Sequence, residues 1–409
     1  MKRVALRELH LRDYRGISDD ADLAEIEDIA SALRGVRVLH LNATSYGGGV
    51  AELLQSQVPL ERDLGLDAQW WTINAPAAFF DATKSLHNAL QGMPVDLTKT
   101  QRALFRATAE RQAGKVPAAD IIVAHDPQVV ALRHFADPQR ARWIWRCHID
   151  LSTAHAPALT LVLPFVREHD ASIFTMDAFV PPRLDPETTR IIPPAIDPLS
   201  DKNRALEPDE VQRVLDRFDI PSDARLLLQV ARFDPWKDPT GVIDAYRLVR
   251  ERVPGVRLAL VGALADDDPE GVDYLDRTRA HAAGESDIHI LTNIDGVDAT
   301  EVNAFQRAAS VGILKSIREG FGLTVSESLW KGVPVVGGNA GGIALQITDG
   351  VNGFLVRDIE ECADRCVRLL TDRELCRRFA EMGREMVRGR FLTTRLVRDH
   401  LRLYADLIS

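Results

Sequence analysis

The strongest constraint on the fold is an alternation that runs through the chain twice. Short apolar runs of strand character are separated by helix-length segments, and the pattern restarts near the middle. The first run is Val36-Arg-Val-Leu-His-Leu-Asn42. It leads into Tyr46-Gly47-Gly48-Gly49, after which Val50 to Leu64 carries apolar residues at 50, 53, 54, 58, 60 and 64, a helical spacing. Further strands are expected at Ala68 to Ile73, Ile121 to Ala124, Arg142 to Cys147 and Ala171 to Thr175. Residues 1–35 read as an extension with a helix near Asp22 to Leu33. The proline-rich stretch Ile191 to Pro198 closes this half and reads as a linker.

The second half supplies strands at Leu226 to Ala231, Arg257 to Gly262, Ile288 to Thr292, Val311 to Leu314, Pro334 to Val336 and Gly353 to Val356. Segments such as Pro239 to Arg252 and Glu301 to Ala309 are helices between them. Such alternation predicts an α/β chain with two Rossmann-like, doubly wound parallel-sheet domains facing a cleft. The expected division is 1–195 and 196–390. Residues 391–409 form a last helix that packs back toward the first domain. Ligands of such sheets gather at the carboxyl ends of the strands, so the loops there are the ones to inspect.

At 409 residues the chain has room for two cores. Its 50 basic and 60 acidic side chains leave a net charge of −10, which disfavours nucleic acid and anionic membrane as partners. No apolar signal segment follows Met1-Lys-Arg, and Ala158 to Val166 is too short to span a bilayer, so a cytoplasmic chain with no membrane span is expected. That run reads as a buried helix or loop. Cys147, Cys362, Cys366 and Cys376 read as reduced structural thiols, because no second pair completes a zinc site.

Five places could carry chemistry. Gly48 and Gly49, at a strand-to-helix turn, allow backbone N–H groups to approach an anion, although a tight turn explains them equally well. Arg232 and Lys237 lie in Ala231-Arg-Phe-Asp-Pro-Trp-Lys-Asp-Pro239, just past a strand. A planar fork and a point charge five residues apart suit a diphosphate; a solvated loop is the plainer alternative. In Glu319-Gly-Phe-Gly-Leu-Thr-Val-Ser-Glu327 one carboxylate precedes a helix and the other lies a turn inside it. The loop residues Gly320, Phe321, Gly322 and Leu323 offer N–H groups where the helix start favours an anion. Gly337-Gly-Asn-Ala-Gly-Gly342 implies close backbone approach, to a ligand or to another element. His148 and Asp150 end the strand Trp143 to Asp150.

Together these residues resemble the retaining two-Rossmann-domain (GT-B) glycosyltransferases of family 4, over the chain from about residue 36 to its end. The Glu-x7-Glu spacing, the upstream Arg232 and Lys237, and the glycine turn occur in that family's order. Gly47-Gly-Gly-Val-Ala-Glu52, Phe79 to Gly92, His125-Asp-Pro-Gln128, Arg146-Cys-His-Ile-Asp-Leu-Ser152 and Ile192-Pro-Pro-Ala-Ile-Asp-Pro198 are most similar to the trehalose glycosyltransferring synthases. These join the glucose of a nucleotide-glucose to free glucose.

The resemblance implies that Arg232 and Lys237 neutralise the donor diphosphate, that Glu327 holds the ribose hydroxyls, and that Glu319 contacts the donor sugar. It implies that Gly48 and Gly49 approach the phosphates or acceptor. His148 and Asp150 would line the transferred sugar, while Asp126 and Gln128 would meet acceptor hydroxyls. It implies His148, Arg232, Lys237 and Glu319 as the catalytic set, no cofactor, no metal, and nucleotide-sugar with glucose or trehalose as partners. A homodimer stays open. No Asp-x-Asp metal motif is evident, and Asp266-Asp267-Asp268 reads as solvated acid. Trehalose phosphorylase is the runner-up, followed by another acceptor, a nucleotide-sugar epimerase, and an inactive sugar-nucleotide sensor.

Overall fold

A computed structural model describes residues 1–45, 48–137, 141–264 and 269–409. Gly47 and the Asp266–Asp268 run lie outside the described residues. The chain forms two compact units: Met1–Ala195 with Thr393–Ser409, and Ile196–Leu392.

The first unit holds a seven-stranded sheet. Its strands are β1 (Lys2–Arg3), β2 (Arg37–Asn42), β3 (Asp67–Thr72), β4 (Ile121–His125), β5 (Arg142–Arg146), β6 (Ala171–Phe174) and β7 (Thr189–Ile191). The spatial order is β1-β3-β2-β4-β5-β6-β7, parallel except for β1, which pairs antiparallel with β3. The sequence pattern did not predict β1 or β7. Two and three residues are too few to show an alternation, and partners distant in the chain define both.

Strands β2, β4 and β5 are buried almost throughout. One face sets Leu39, Leu41, Ile122, Ala124, Trp143 and Trp145 into an apolar core. The register pairs Leu39 with Ile122 and Ile122 with Trp143, so the residues between them point to the opposite face. There the sequence places His40, His125 and Arg146, covered by the Gly49–Asp63 helix and the C-terminal Thr393–Ile408 helix. A polar row under two helices must find internal partners. The extension also folds: the Asp20–Ser31 helix, capped by Asp19, packs on the C-terminal helix.

The second unit is wholly parallel, with β8 (Arg225–Val230), β9 (Val256–Gly262), β10 (Ile288–Thr292), β11 (Val311–Leu314), β12 (Val335–Gly338) and β13 (Gly353–Val356) in the order β10-β9-β8-β11-β12-β13. Alternate residues of β8 and β9 enter two separate cores: Leu227, Leu258 and Leu260 on one face, Leu226, Leu228, Ala259 and Val261 on the other. Helices therefore cover both faces. The strand order reverses between β8 and β11, where an open α/β sheet places its ligand crevice.

Ala156–Val166 is a helix and contains Pro164. All four cysteines are free, and Cys376 alone among them is not fully buried. Among the described residues no helix is long and apolar enough to cross a membrane.

Candidate active site

The loops after β8 and β11 meet at that reversal. Asp234 shapes the first: its carboxylate accepts the N–H groups of Trp236 at 2.9 Å and Lys237 at 3.1 Å. Gln229 Nε2 donates to the Lys237 carbonyl at 2.8 Å. Asp238 then takes a left-handed conformation (φ 48°) and caps the Pro239–Arg252 helix through Gly241 N–H. The second loop is tied to the first at three points. Ile317 N–H donates to the Trp236 carbonyl at 2.8 Å, Lys315 pairs with Asp238, and Lys237 pairs with Glu319. Ser316 Oγ also reaches Glu319 at 3.3 Å. Arg232 is the open member of the group: its side chain is 59 % exposed, and Asp234 lies 3.6 Å away.

Lys237 and Glu319, read from sequence as binding different parts of one ligand, are thus each other's counter-ion. The structure places both at the start of the Leu323–Trp330 helix, which Gly322 caps in a left-handed conformation (φ 79°). The left-handed backbone favours glycine there, and a Cβ would also press on the Leu314 side chain at 2.9 Å and on Glu319 at 3.2 Å.

The glycine run that begins at the end of β12 resolves into packing. A Cβ at Gly338 would fall 2.3 Å from the Ser316 carbonyl, and one at Gly342 would fall 2.4 Å from Phe321 Cα. Gly342 N–H donates to the Glu319 carbonyl at 3.2 Å, and buried Gln346 donates to the Phe321 carbonyl. These glycines hold the backbone of Gly320, Phe321 and Gly322 in place.

Glu327 departs from expectation. It is 1 % exposed, and both of its oxygens are engaged, Oε1 by Lys202 at 3.0 Å and Oε2 by Gln306 at 2.9 Å. Burial works to raise its pKa, but Lys202, Lys331 and the Gln306 bond outweigh it, and the carboxyl is held below its ordinary range. Lys331 belongs to the same cluster, donating to Asn203 and Gln306 at 2.7 Å each, and burial brings its pKa down to about 7. In this structure Glu327 anchors its helix to the Asn203 region and does not present a free carboxylate to a ribose. A glutamate among apolar helix positions signalled burial; its partners, Lys202 and Gln306, could not be found from spacing.

In the first unit Gly48 has φ 97° and precedes Gly49, the first residue of the Gly49–Asp63 helix. Asp126 also has a left-handed backbone (φ 64°). Its N–H donates to the Arg146 carbonyl and its Oδ1 accepts His148 N–H, both at 2.8 Å. Asp126 therefore clamps the β4 end to the backbone of His148 through Oδ1. Asp150 is likewise buried and turns its own loop, accepting Ser152 N–H at 2.8 Å. Gln128 Oε1 is buried and has no hydrogen-bond partner among the described residues. Burial lowers the Arg146 pKa to about 9.

Burial also raises the Asp126 carboxyl from 3.8 to about 7, against the pull of His148 N–H and Arg146. The folded chain holds this proton more tightly than the unfolded chain does. The associated stability is complete below pH 3.8 and is lost as pH rises toward 7. Asp126→Asn removes that titration. The stability of the variant relative to the parent should climb with pH, by up to about 1.4 kcal/mol per unit, and level off near neutrality. Thermal denaturation of both proteins from about pH 4 to about pH 8 checks this. A gap that does not change with pH contradicts it.

Two doubly wound α/β units, the second with cation-bearing loops at its strand-order reversal, are the GT-B glycosyltransferase architecture. The solved structure of an E. coli trehalose-6-phosphate protein bound with UDP-2-fluoro glucose superposes with a TM-score of 0.72 at 15 % identity, covering 91 % of this chain and 99 % of that one. Family models match along the chain: trehalose synthase, N-terminal domain, at residues 40–181, and glycosyl transferases group 1 at residues 212–386. Trehalose synthase of Rubrobacter xylanophilus is 48 % identical over 415 aligned positions, spanning 100 % of both chains. Trehalose phosphorylase of Pleurotus pulmonarius is 28 % identical over 92 % of this chain but 58 % of its own length. The chain belongs to the trehalose synthase family.

Proposed function

We propose that this chain transfers glucose from a nucleoside-diphosphate glucose to free glucose, with retention at the anomeric carbon, forming α,α-trehalose reversibly. The observation that carries the reading is full-length identity to a trehalose synthase, 48 % over both chains. The more distant phosphorylase match leaves 42 % of that protein's length unmatched (100 − 58). Burial of Glu327 removes the ribose contact as an argument for a nucleotide, so the choice of donor rests on that identity and on the cationic loops.

In the second unit, Arg232 and Lys237 take the diphosphate, and Glu319 takes hydroxyls of the donor sugar. The N–H groups of Gly320 to Leu323 add to the positive potential. In the first unit, Gly48 and Gly49 approach the ligand with backbone, and Gln128 and His148 meet sugar hydroxyls. Asp126 and Asp150 shape that end of the sheet. Transfer breaks the bond from anomeric carbon to phosphate oxygen and forms one to an acceptor oxygen on the same face. The acceptor's proton passes to the departing diphosphate, so no protein nucleophile is required.

Purified protein incubated with glucose and each nucleotide-glucose in turn should release trehalose and free nucleoside diphosphate. Trehalose formed only from glucose 1-phosphate would establish the phosphorylase reading instead. Because side-chain cations meet the leaving charge, EDTA should leave the rate unchanged. Loss of activity on chelation, restored by Mg²⁺, would refute metal independence.

A further inference from the structure

Beneath the His148 loop, four side chains distant in sequence form one line. Glu61 Oε2 lies 3.0 Å from His40 Nε2, and His40 Nδ1 lies 3.0 Å from His125 Nε2. His125 Nδ1 lies 2.9 Å from His148 Nε2. The three rings are stacked, with centroids 5.3 Å apart at each step. His40 and Glu61 are fully buried, and His125 nearly so. The line follows from register. His40 stands opposite Val123, two before His125, and His125 stands opposite Arg146, two before His148. Residues two apart share a face, so each ring sits one step nearer the carboxyl ends than the last. The rings surround no common point, and among the described residues no group of three could hold a metal ion.

The far end of the line has a fixed polarity. Glu61 Oε1 accepts Gln57 Nε2–H at 2.9 Å and Tyr404 O–H at 3.2 Å. Burial pushes the Tyr404 phenol well above its ordinary range, which keeps it a donor. A carboxylate can only accept, so His40 must carry its proton on Nε2, toward Glu61. With one proton on the His40 ring, Nδ1 is an acceptor and His125 donates from Nε2. By the same step His148 donates from Nε2 to His125 Nδ1. Its Nδ1, which has no hydrogen-bond partner among the described residues, is left with a lone pair. Burial, aided by Arg146 and neighbouring histidines, holds His125 and His148 well below the ordinary histidine range. Those two rings are therefore neutral, and their tautomer decides what they can do.

We propose that Glu61 is a positioning residue for this site: through His40 and His125 it sets the His148 tautomer that offers Nδ1 as an acceptor to a sugar hydroxyl. The functional half rests on the reading of His148 above; the tautomer half does not. Glu61→Gln is nearly isosteric and inverts the line. Gln57 and Tyr404, both donors, hold the amide oxygen at the Oε1 position, which turns the NH₂ toward His40. Each ring then reverses, and His148 carries its proton on Nδ1.

The test is long-range proton–nitrogen NMR of histidine-labelled protein without substrate, with His148 assigned from the signals lost in His148→Gln. The parent should show Nε2 protonated and Nδ1 bare at His148, and Glu61→Gln should exchange them. Its kcat/KM for trehalose formation should fall about 10²-fold. An unchanged His148 tautomer in folded Glu61→Gln overturns the proposal. Inversion with full activity overturns the functional half. Should the variant not fold, the parent spectrum decides: a proton on Nδ1 of His40, His125 or His148 overturns the relay. A parent that makes no trehalose, with the inversion present in Glu61→Gln, refutes the proposed reaction and leaves the relay standing.

Discussion

Lys237→Ala should lower kcat by about 10²–10³-fold while the protein stays folded, since that is the usual loss when one donor to a developing anion is removed. Structure makes the loss compound. Lys237 neutralises Glu319 within the group, so alanine also leaves a carboxylate with 11 % exposure deprived of its cation. A diphosphate would then approach a site with one positive charge fewer and one uncompensated negative charge. The loop itself should survive. Asp234 binds the Lys237 N–H and Gln229 binds its carbonyl, and neither bond needs the side chain. Two further variants separate the effects. Lys237→Arg keeps the charge and should lose less. Lys237→Ala combined with Glu319→Gln removes the orphaned carboxylate. Activity restored in that double variant would show that Lys237 serves only Glu319, and the diphosphate role would fall. Steady-state kinetics beside thermal denaturation give the result.

Gly342→Ala should be nearly as damaging, by pure displacement. The added methyl would sit 2.4 Å from Phe321 Cα and 2.6 Å from the Gly320 carbonyl oxygen. Both neighbours are backbone and cannot rotate away. The Glu319–Leu323 segment must shift, and a displacement near 1 Å can cost about 10²-fold in rate. Overpacking should also lower stability by about 1–3 kcal/mol. Gly389→Ala is the control. It lies inside the Arg373–Arg390 helix with nothing within 4 Å of the new atom, so it should stabilise the helix by about 0.5–1 kcal/mol and leave activity unchanged. A fully active Gly342→Ala enzyme would show that the loop position does not set the rate.

The placement of the cationic loops was legible because it is local. Arg232, Lys237 and Glu319 lie just beyond apolar strands, and most strand ends could be read to within a residue or two from alternation and glycine; the strand expected to run to Asp150 stops at Arg146. Helix and strand assignments failed mainly where the element was very short, as at Lys2–Arg3 and Thr189–Ile191. Roles assigned to lone polar residues fared less evenly. For Asp126 and Glu327 the sequence names no protein partner. Folding gives the first to the His148 backbone and the second to Lys202 and Gln306. Whether a carboxylate is available to a ligand depends on which donors arrive beside it, and those come from elsewhere in the chain.

His40 is the plainest instance. It sits mid-strand in Val38-Leu39-His40-Leu41, and Glu61 sits four residues after Gln57 on the following helix. A buried histidine and a buried glutamate each announce that a partner is needed. Nothing local names the partner. The sequence by itself determined the alternating elements, the two parallel sheets and the cationic loops at their strand ends, because each depends on periodicity or on neighbours a few residues away. Tertiary structure alone decided the Lys237–Glu319 pairing and the line from Glu61 to His148. Strand order and register, set by long-range packing, bring those groups within hydrogen-bond reach across gaps of 82 residues and of 21, 85 and 23.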